Sequence, residues 1–597
     1  MRLGINAMNL NTRILPLLAI FFCFTPFKSS AETPEISPSY FTILRNGDPK
    51  QLLTALNGGA PVNARDAEGN TPLMLATVYG DVACVKTLLD HGAAVNATND
   101  AGASALLHAS FDYQKVELLV AHGANVNIHS ALGDTPLMLA ARPADSHAAV
   151  ALLLAQGASV NVANNWGATP LMAAAAGGDV ASVKMLLRNG ADANAQPALD
   201  PPGFVLGGGR SALDWAAYRG NIPVMKLLLT ARADVNAESF LGTPLVQAAW
   251  NDDLPTASFL IAHGAHPDQV GHGIDYTALH WAAQSEHSDP ALVKLLLAHG
   301  ANPNLNGGQS IDSLVDPQTP VMLAQRRGGT PILTTLLLAG ANNESPDWTP
   351  DLKPITRENP DSCTAADAAA SISQALLPLQ ASSIFSKTSF VQSHQDCVSC
   401  HQQFIPLAAI SLAEKRNITI DTDAKQKLID LVSAGDLKNP ETDWEPLFHP
   451  SLAHSKGYML FGDANANLPA NEITDSSVHH LAVIQAADGR WCNNMPRPPM
   501  QSDDVSSTAL AIHALQAYPL PGRQAEFTAR VNRARKWLWT VKAENQEERI
   551  YQLLGLAWAG ESPKRLRPLA NALLAEQRPD GGWAQLQALN SDAYATG

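Results

Sequence analysis

The sequence is poor in charge, and poorer still in positive charge: charged residues make up 16% of 597, with 40 Lys and Arg against 55 Asp and Glu and a formal net charge of −15. That balance offers no attraction to a phosphate backbone and excludes a basic nucleic-acid binder. Cysteine is scarce as well, six in the whole chain, too few for a fold held by disulfides, so the placement of each matters more than their number. Gly and Pro stand at 40 each, with 46% apolar residues, so the chain is neither collagen-like nor wholly disordered. After Ala31 no apolar run reaches the roughly 20 residues a helix needs to cross a bilayer. At about 150 residues per domain, the length calls for several domains or a repeat array.

Residues 1–31 read as an address. Arg2 and Arg13 stand there without any acid, followed by the apolar run Ile14 to Phe24 and the small residues Ser29-Ser30-Ala31. This is the pattern of a secretory signal with cleavage after Ala31; the other reading is an uncleaved anchor. Cys23 follows Phe21-Phe22 rather than small residues, which argues against lipoprotein processing there. The mature chain is expected to be exported, in a compartment such as the bacterial periplasm, where oxidising chemistry is accessible.

Between residues 36 and 345 the chain repeats. Thr71-Pro72-Leu73 returns as Ser104-Ala105-Leu106, Thr135-Pro136-Leu137, Thr169-Pro170-Leu171, Ser211-Ala212-Leu213, Thr243-Pro244-Leu245, Thr277-Ala278-Leu279 and Thr319-Pro320-Val321, at spacings of 33, 31, 34, 42, 32, 34 and 42. Thr before Pro caps the helix that Pro opens, since the first helical N–H has no partner to lose. Gly92 and Gly123 close a second helix by tolerating a left-handed backbone. A period near 33 with this opening resembles the ankyrin repeat, which implies paired helices that stack because no unit can bury its apolar stripe alone. Residues 39–66 lack the opening and read as an N-terminal cap, giving about nine units. The long spacings predict insertions at Pro197 to Gly209 and Gly307 to Gln318. The resemblance implies a protein partner on the concave face, with a spacer lacking any specific partner as the alternative. His108 and His280 fall where the family often carries a core histidine, and Cys84 on a helix is expected to be buried and inert.

A linker rich in Pro, Ser and Asp covers 346–378, and 379–440 then presents Cys397-Val398-Ser399-Cys400-His401. Two thiols at this spacing with an adjacent His form the attachment motif of c-type haem: the thiols add to the porphyrin vinyl groups, and His401 reaches the iron as proximal ligand. The rivals are a redox dithiol, which usually follows a strand, and a structural zinc site, which needs two more ligands. The distal ligand is open among Met459, 58 residues beyond His401, and Met495 or Met500 in a Pro-rich loop. Each methionine equally suits core packing. Cys363 and Cys492 are a candidate disulfide whose meeting the sequence cannot show.

Within 441–597, Gln485-Ala486-Ala487-Asp488-Gly489-Arg490-Trp491 recurs as Gln577-Arg578-Pro579-Asp580-Gly581-Gly582-Trp583, each followed by an Asp and Thr four apart: Asp504 with Thr508, and Asp592 with Thr596. These segments resemble the Gln-Trp motifs of the squalene-hopene cyclase and prenyltransferase superfamily. The resemblance implies a double ring of helices, with the glutamine bonding a helix end, the tryptophan packing beside it, and a hydrophobic or isoprenoid ligand. Apolar spacing predicts helices over Ala525 to Val541, Glu548 to Ala559 and Arg565 to Glu576. The cyclase acid motif has its nearest match at Gln501-Ser502-Asp503-Asp504 but lacks its first aspartate. Carried over, Asp503 would donate the proton with Asp504 beside it; alternatively, Asp504 caps a helix. The ring is expected to be incomplete, the sequence being a fragment or the ring being closed by a partner.

The expectation is thus an all-α chain, an ankyrin solenoid followed by an α/α-toroid-like domain carrying a haem c site. Three functions compete: electron transfer on an interaction scaffold, an isoprenoid- or lipid-modifying enzyme with an auxiliary haem, and a scaffold without haem.

Overall fold

The computed structural model describes residues 34–197, 210–239, 242–271, 275–285, 289–307, 318–326, 330–342, 404–434, 453–492, 504–543 and 545–578. Among these the regular elements are all helical, the β-pairing being limited to isolated bridges. Nine helix pairs come first: α1 Pro38–Asn46 with α2 Pro49–Asn57, α3 Pro72–Tyr79 with α4 Val82–Asp90, α5 Ala105–Ala109 with α6 Tyr113–Ala121, α7 Pro136–Ala141 with α8 His147–Ala155, and α9 Pro170–Gly177 with α10 Val180–Arg188. They continue as α11 Ala212–Tyr218 with α12 Ile222–Thr230, α13 Pro244–Trp250 with α14 Leu254–Ala262, α15 Ala278–Ala283 with α16 Ala291–Ala298, and α17 Pro320–Gln325 with α18 Pro331–Leu338. The first pair falls in the stretch that lacks the Thr-Pro-Leu opening.

Most first helices start as the sequence predicts. The Thr71 hydroxyl accepts from the Met74 N–H at 3.3 Å, Thr169 does the same for Met172 at 3.3 Å, and Pro72 and Pro170 occupy the first helical position. The second helices are capped by acids that the sequence reading passed over: Asp81 accepts from Cys84 N, Asp112 from Gln114 N and Asp253 from Thr256 N. Their closing glycines take the left-handed backbone, Gly92 with φ 84° and Gly123 with φ 83°.

A ladder of asparagines ties most units to the next. Asn96 donates to the Gly123 carbonyl at 3.0 Å and accepts from the Asn125 N–H at 2.8 Å. Asn63, Asn127, Asn161, Asn194, Asn236 and Asn304 repeat this two-point bridge across their own junctions. Each side-chain amide satisfies the carbonyl left over at a helix end and a loop N–H together, which fixes the stacking register.

The second body comprises α19 Ile405–Lys415, α20 Thr422–Ala434, α21 Ala453–Asn465, α22 Glu472–Ile484, α23 Asp504–Ala517, α24 Gln524–Leu538, α25 Gln546–Trp558 and α26 Pro563–Ala575. The three helices predicted here form with their boundaries shifted by up to three residues. Helices α19, α21, α23 and α25 lie side by side in that order, with α22 and α24 packed against α23.

This body sits on the repeat array. Helices α3, α5, α7 and α11 are buried along their whole length, whereas the second helices bury only one stripe, such as Val116 and Leu119 on α6. Arg45 at the end of α1 grips Asp475 of α22. Arg523 donates to the Val78 carbonyl at the end of α3, at 3.4 Å. Gly522 and Gly47 approach so closely that a Cβ on Gly522 would run into the Tyr79 carbonyl. The first-helix ends of the early units, part of the face expected to receive a partner, are therefore engaged by this chain's own helices.

Candidate functional site

Two sites follow from this arrangement. The first is the seam between the bodies. His479 on α22 is buried with its ring edge-on to Phe111, centroids 5.5 Å apart, and its Nδ1 lies 2.7 Å from Arg523 Nη1. Because arginine only donates, Nδ1 must accept, so this imidazole is neutral. Burial, with the Arg523 charge beside it, holds the His479 pKa well below the ordinary value. Burial alone would raise the pKa of the Glu526 carboxyl, but Arg523 and Arg530 clamp it and hold it well below the usual carboxylate range. Lys115 donates to the Thr77 carbonyl at 2.8 Å, its ammonium pKa lowered by burial. A cleft of about 200 Å³ opens beside this seam, lined by Phe111, Tyr113 and Asp145 on one side and Gln485, Arg530 and Arg533 on the other.

The Gln-Trp segment braces the second body's side of the seam. Gln485, at the end of α22, donates through Nε2 to the Gly489 and Arg530 carbonyls at 2.9 and 3.0 Å, and its Oε1 accepts from Arg533. Trp491 is fully buried, its indole N–H reaching the Leu481 carbonyl at 2.6 Å and its backbone N–H the Thr508 hydroxyl at 2.9 Å. Gln485 thus joins the end of α22 to the body of α24, with Trp491 buried beside it.

The second site lies on the row of helices α21, α23 and α25. His513 of α23 stands edge-on to Phe461 of α21 and Trp558 of α25, centroids 5.1 and 4.8 Å away. Its Nδ1 is buried without a hydrogen-bond partner, and burial pushes its pKa down to about 4. Further along the same two helices, the Tyr458 and Tyr551 hydroxyls meet at 2.9 Å. Phe404, the residue before α19, lies against Gly462, next to Phe461: a Cβ on Gly462 would fall 3.2 Å from both Cα and Cβ of Phe404. Sequence reasoning missed His513, because a lone histidine in an apolar helix carries no signal until its neighbours are known.

Of the residues singled out from the sequence, Cys397, Cys400 and His401 lie outside the described residues, as do Met495, Met500, Asp503 and Cys363. Met459 is buried in the core at 2% exposure. Asp504 opens α23 and pairs with Arg490 at 3.1 Å. Cys492 is a buried thiol whose pKa burial raises. Cys84 is buried as expected, its thiol pushed up to about 12 by the same cause. His280 bridges the Thr277 hydroxyl at 2.8 Å and the Gln318 carbonyl at 3.1 Å, and burial lowers its pKa to about 4, which suits a structural histidine. Among the described residues no group of three or more His, Cys, Asp or Glu is placed to hold a metal ion, and no helix is long and apolar enough to cross a membrane.

The family model described as "Ankyrin repeats" matches residues 41–130, 112–197 and 245–347, and that of the single "Ankyrin repeat" matches 208–239. Residues 41–347 are thus largely ankyrin repeats, which supports a protein-interaction scaffold. The chain is 36% identical over 131 residues to the ankyrin repeat, SAM and basic leucine zipper domain-containing protein 1 of Notamacropus eugenii, covering 21% of this chain and 27% of that one. It is 42% identical over 67 residues to the palmitoyltransferase ZDHHC13 of Homo sapiens, covering 11% of this chain and 10% of that one. The matches therefore span about a quarter or less of these relatives. The solved human ASB11 ankyrin repeat domain is similar over 46% of this chain and 99% of its own, at 25% identity and a TM-score of 0.31.

Proposed function

We propose that this chain is an exported electron-transfer protein, carrying one haem c attached at Cys397 and Cys400 and ligated by His401, beside an ankyrin scaffold that docks a protein partner. The observation that carries the reading is the pentad Cys397-Val398-Ser399-Cys400-His401. Phe404, three residues beyond the pentad, and the aromatic side chains of α21 and α25 are of a kind that suits a porphyrin. Phe404 is buried against Gly462, and the neighbouring Phe461 stands with Trp558 around a neutral imidazole whose Nδ1 has no partner. A flat apolar macrocycle favours aromatic walls, and iron favours an unprotonated nitrogen. When bound, the haem supplies a one-electron redox couple. The protein residues hold it, exclude water through their aromatic surfaces and, through the array, set what it meets.

Export is part of the proposal, since residues 1–31 carry the signal pattern. The test is production of the full chain in an exporting host with c-type maturation machinery, followed by haem staining of a denaturing gel and a pyridine haemochrome spectrum. Covalent haem is expected in the parent and absent from the Cys397→Ala, Cys400→Ala variant. A parent without haem overturns the proposal and leaves the scaffold.

A second reading, an isoprenoid- or lipid-binding ring with the haem as auxiliary, is favoured by the Gln485 and Trp491 geometry described above. An apolar ligand recovered from the purified protein would support it.

A further inference from the structure

We propose that the cleft at the seam binds a small apolar α-amino acid, its carboxylate meeting Arg533 and its ammonium meeting Asp145, so that one ligand ties the second body to the repeat array. The cleft, of about 200 Å³, has room for roughly seven waters at ~30 Å³ each, the bulk of such a molecule. None of the residues involved belongs to the haem attachment motif, so the inference stands apart from the haem reading.

Opposite charges stand on the two walls. Arg530 is already neutralised by Glu526, which accepts from its Nε at 2.8 Å. Arg533 gives one N–H to Gln485 Oε1 at 2.9 Å and meets no carboxylate among the described residues. Asp145, on the opposite wall, makes neither a hydrogen bond nor an ion pair among them. A ligand with one charge of each sign satisfies both walls. A bare carboxylate would set a like charge before Asp145, and a bare amine would do the same to Arg533. Phe111, Pro143, Ala144 and Val483 supply apolar surface between them, which suits an aliphatic side chain.

The array departs from its own repeat at this point. In the neighbouring units two or three residues join the first helix to the second, Ser110 to Asp112 before and Gly178 with Asp179 after, whereas five, Arg142 to Ser146, join α7 to α8. The neighbours' aspartates cap the second helix, Asp112 accepting from Gln114 N and Asp179 from Ala181 N, both at 3.0 Å. Asp145 falls one position too early to do so, at φ 67°, and Ser146 in the capping position makes no side-chain capping bond. The longer turn forgoes a cap and carries an acid and two apolar residues to the cleft wall.

The test is calorimetric titration of the full chain with alanine, valine and leucine, each beside the acid that lacks its ammonium and the amine that lacks its carboxylate. At least one amino acid is expected to bind, its two truncated forms being weaker by about tenfold or more. Asp145→Asn, a residue that also tolerates the left-handed backbone, should fold as the parent does and bind the bare acid at least as well as the amino acid. Arg533→Gln, on the other wall, should lose both. Hydrogen exchange at saturating ligand should slow in residues 142–146 and 485–487 together. No binding by any of the three, a truncated form as tight as its amino acid in the parent, affinity unaltered in a folded Asp145→Asn or Arg533→Gln, or protection of one wall alone overturns the assignment.

Discussion

Arg45 and Asp475, 430 positions apart, meet in a two-point ion pair, Nε to Oδ2 at 2.7 Å and Nη2 to Oδ1 at 2.8 Å. The side chain of Asp475 is 2% exposed and that of Arg45 25%, so the pair closes one end of the seam. Removing one member of a buried pair strands the other, at a cost of about 3–5 kcal/mol. Arg45→Leu is expected to destabilise more than Asp475→Leu, because the stranded carboxylate is the more buried group. The double variant should recover most of the loss. Chemical denaturation of the four proteins as a double-mutant cycle measures this; additive losses would show that the pair does not couple the bodies.

The seam should also weaken in acid. His479 is neutral and its pKa lies below the ordinary 6.5, so the folded form binds fewer protons than the unfolded one, and stability falls as pH drops below about 6.5. The groups facing it are Arg523, His108 and His480 on the cationic side and Glu526 on the anionic side, so a proton there meets mostly like charge. His280 and His513, both near 4, add to the same slope from elsewhere. Gln in place of His479 keeps an acceptor for Arg523 but cannot titrate. Hydrogen exchange at pH 5 and pH 7 should show acid-enhanced opening along α3 and α22 in the parent and less in His479→Gln; equal opening in both would remove the role of this histidine.

Two departures from the repeat pattern predict gains in stability. Where seven units use asparagine, Asp268 accepts from the Asn302 N–H at 2.9 Å but has no N–H to give the Gly300 carbonyl. Asp268→Asn is expected to add that bond, about 1 kcal/mol. Arg232 holds φ at 65° where the other units place glycine, and Arg232→Gly should relieve about 1 kcal/mol of left-handed strain. Denaturation midpoints should rise for each variant and add in the pair, since the two lie at different junctions.

The repeat array was legible because it is local: Thr-Pro-Leu caps, apolar stripes and closing glycines act within one unit, and periodicity exposes them. The asparagine ladder was equally repetitive but was overlooked, because a polar residue in a loop reads as solvent-facing until the next unit supplies its partners. The seam was invisible in the sequence. Arg45 and Asp475, or Phe111 and His479, come together only through the packing of two bodies, and nothing in their neighbourhoods marks them. His513 was hidden likewise, its meaning resting on Phe461 and Trp558 from two other helices.

Trp491 separates packing from hydrogen bonding within the Gln-Trp segment. Its ring is wholly buried and its indole N–H bonds the Leu481 carbonyl at 2.6 Å in the last turn of α22. Trp491→Phe keeps most of the apolar bulk but leaves that carbonyl without its donor, for an expected loss of about 1–3 kcal/mol. Trp491→Ala removes the bulk too and should cost about 3–5 kcal/mol. Gln485→Ala frees the Arg530 carbonyl and the Arg533 guanidinium together, loosening α24 from the end of α22. If thermal denaturation shows Trp491→Phe as costly as Trp491→Ala, the hydrogen bond rather than the ring's volume holds α22 in register; a near-neutral Trp491→Phe would assign the work to packing alone.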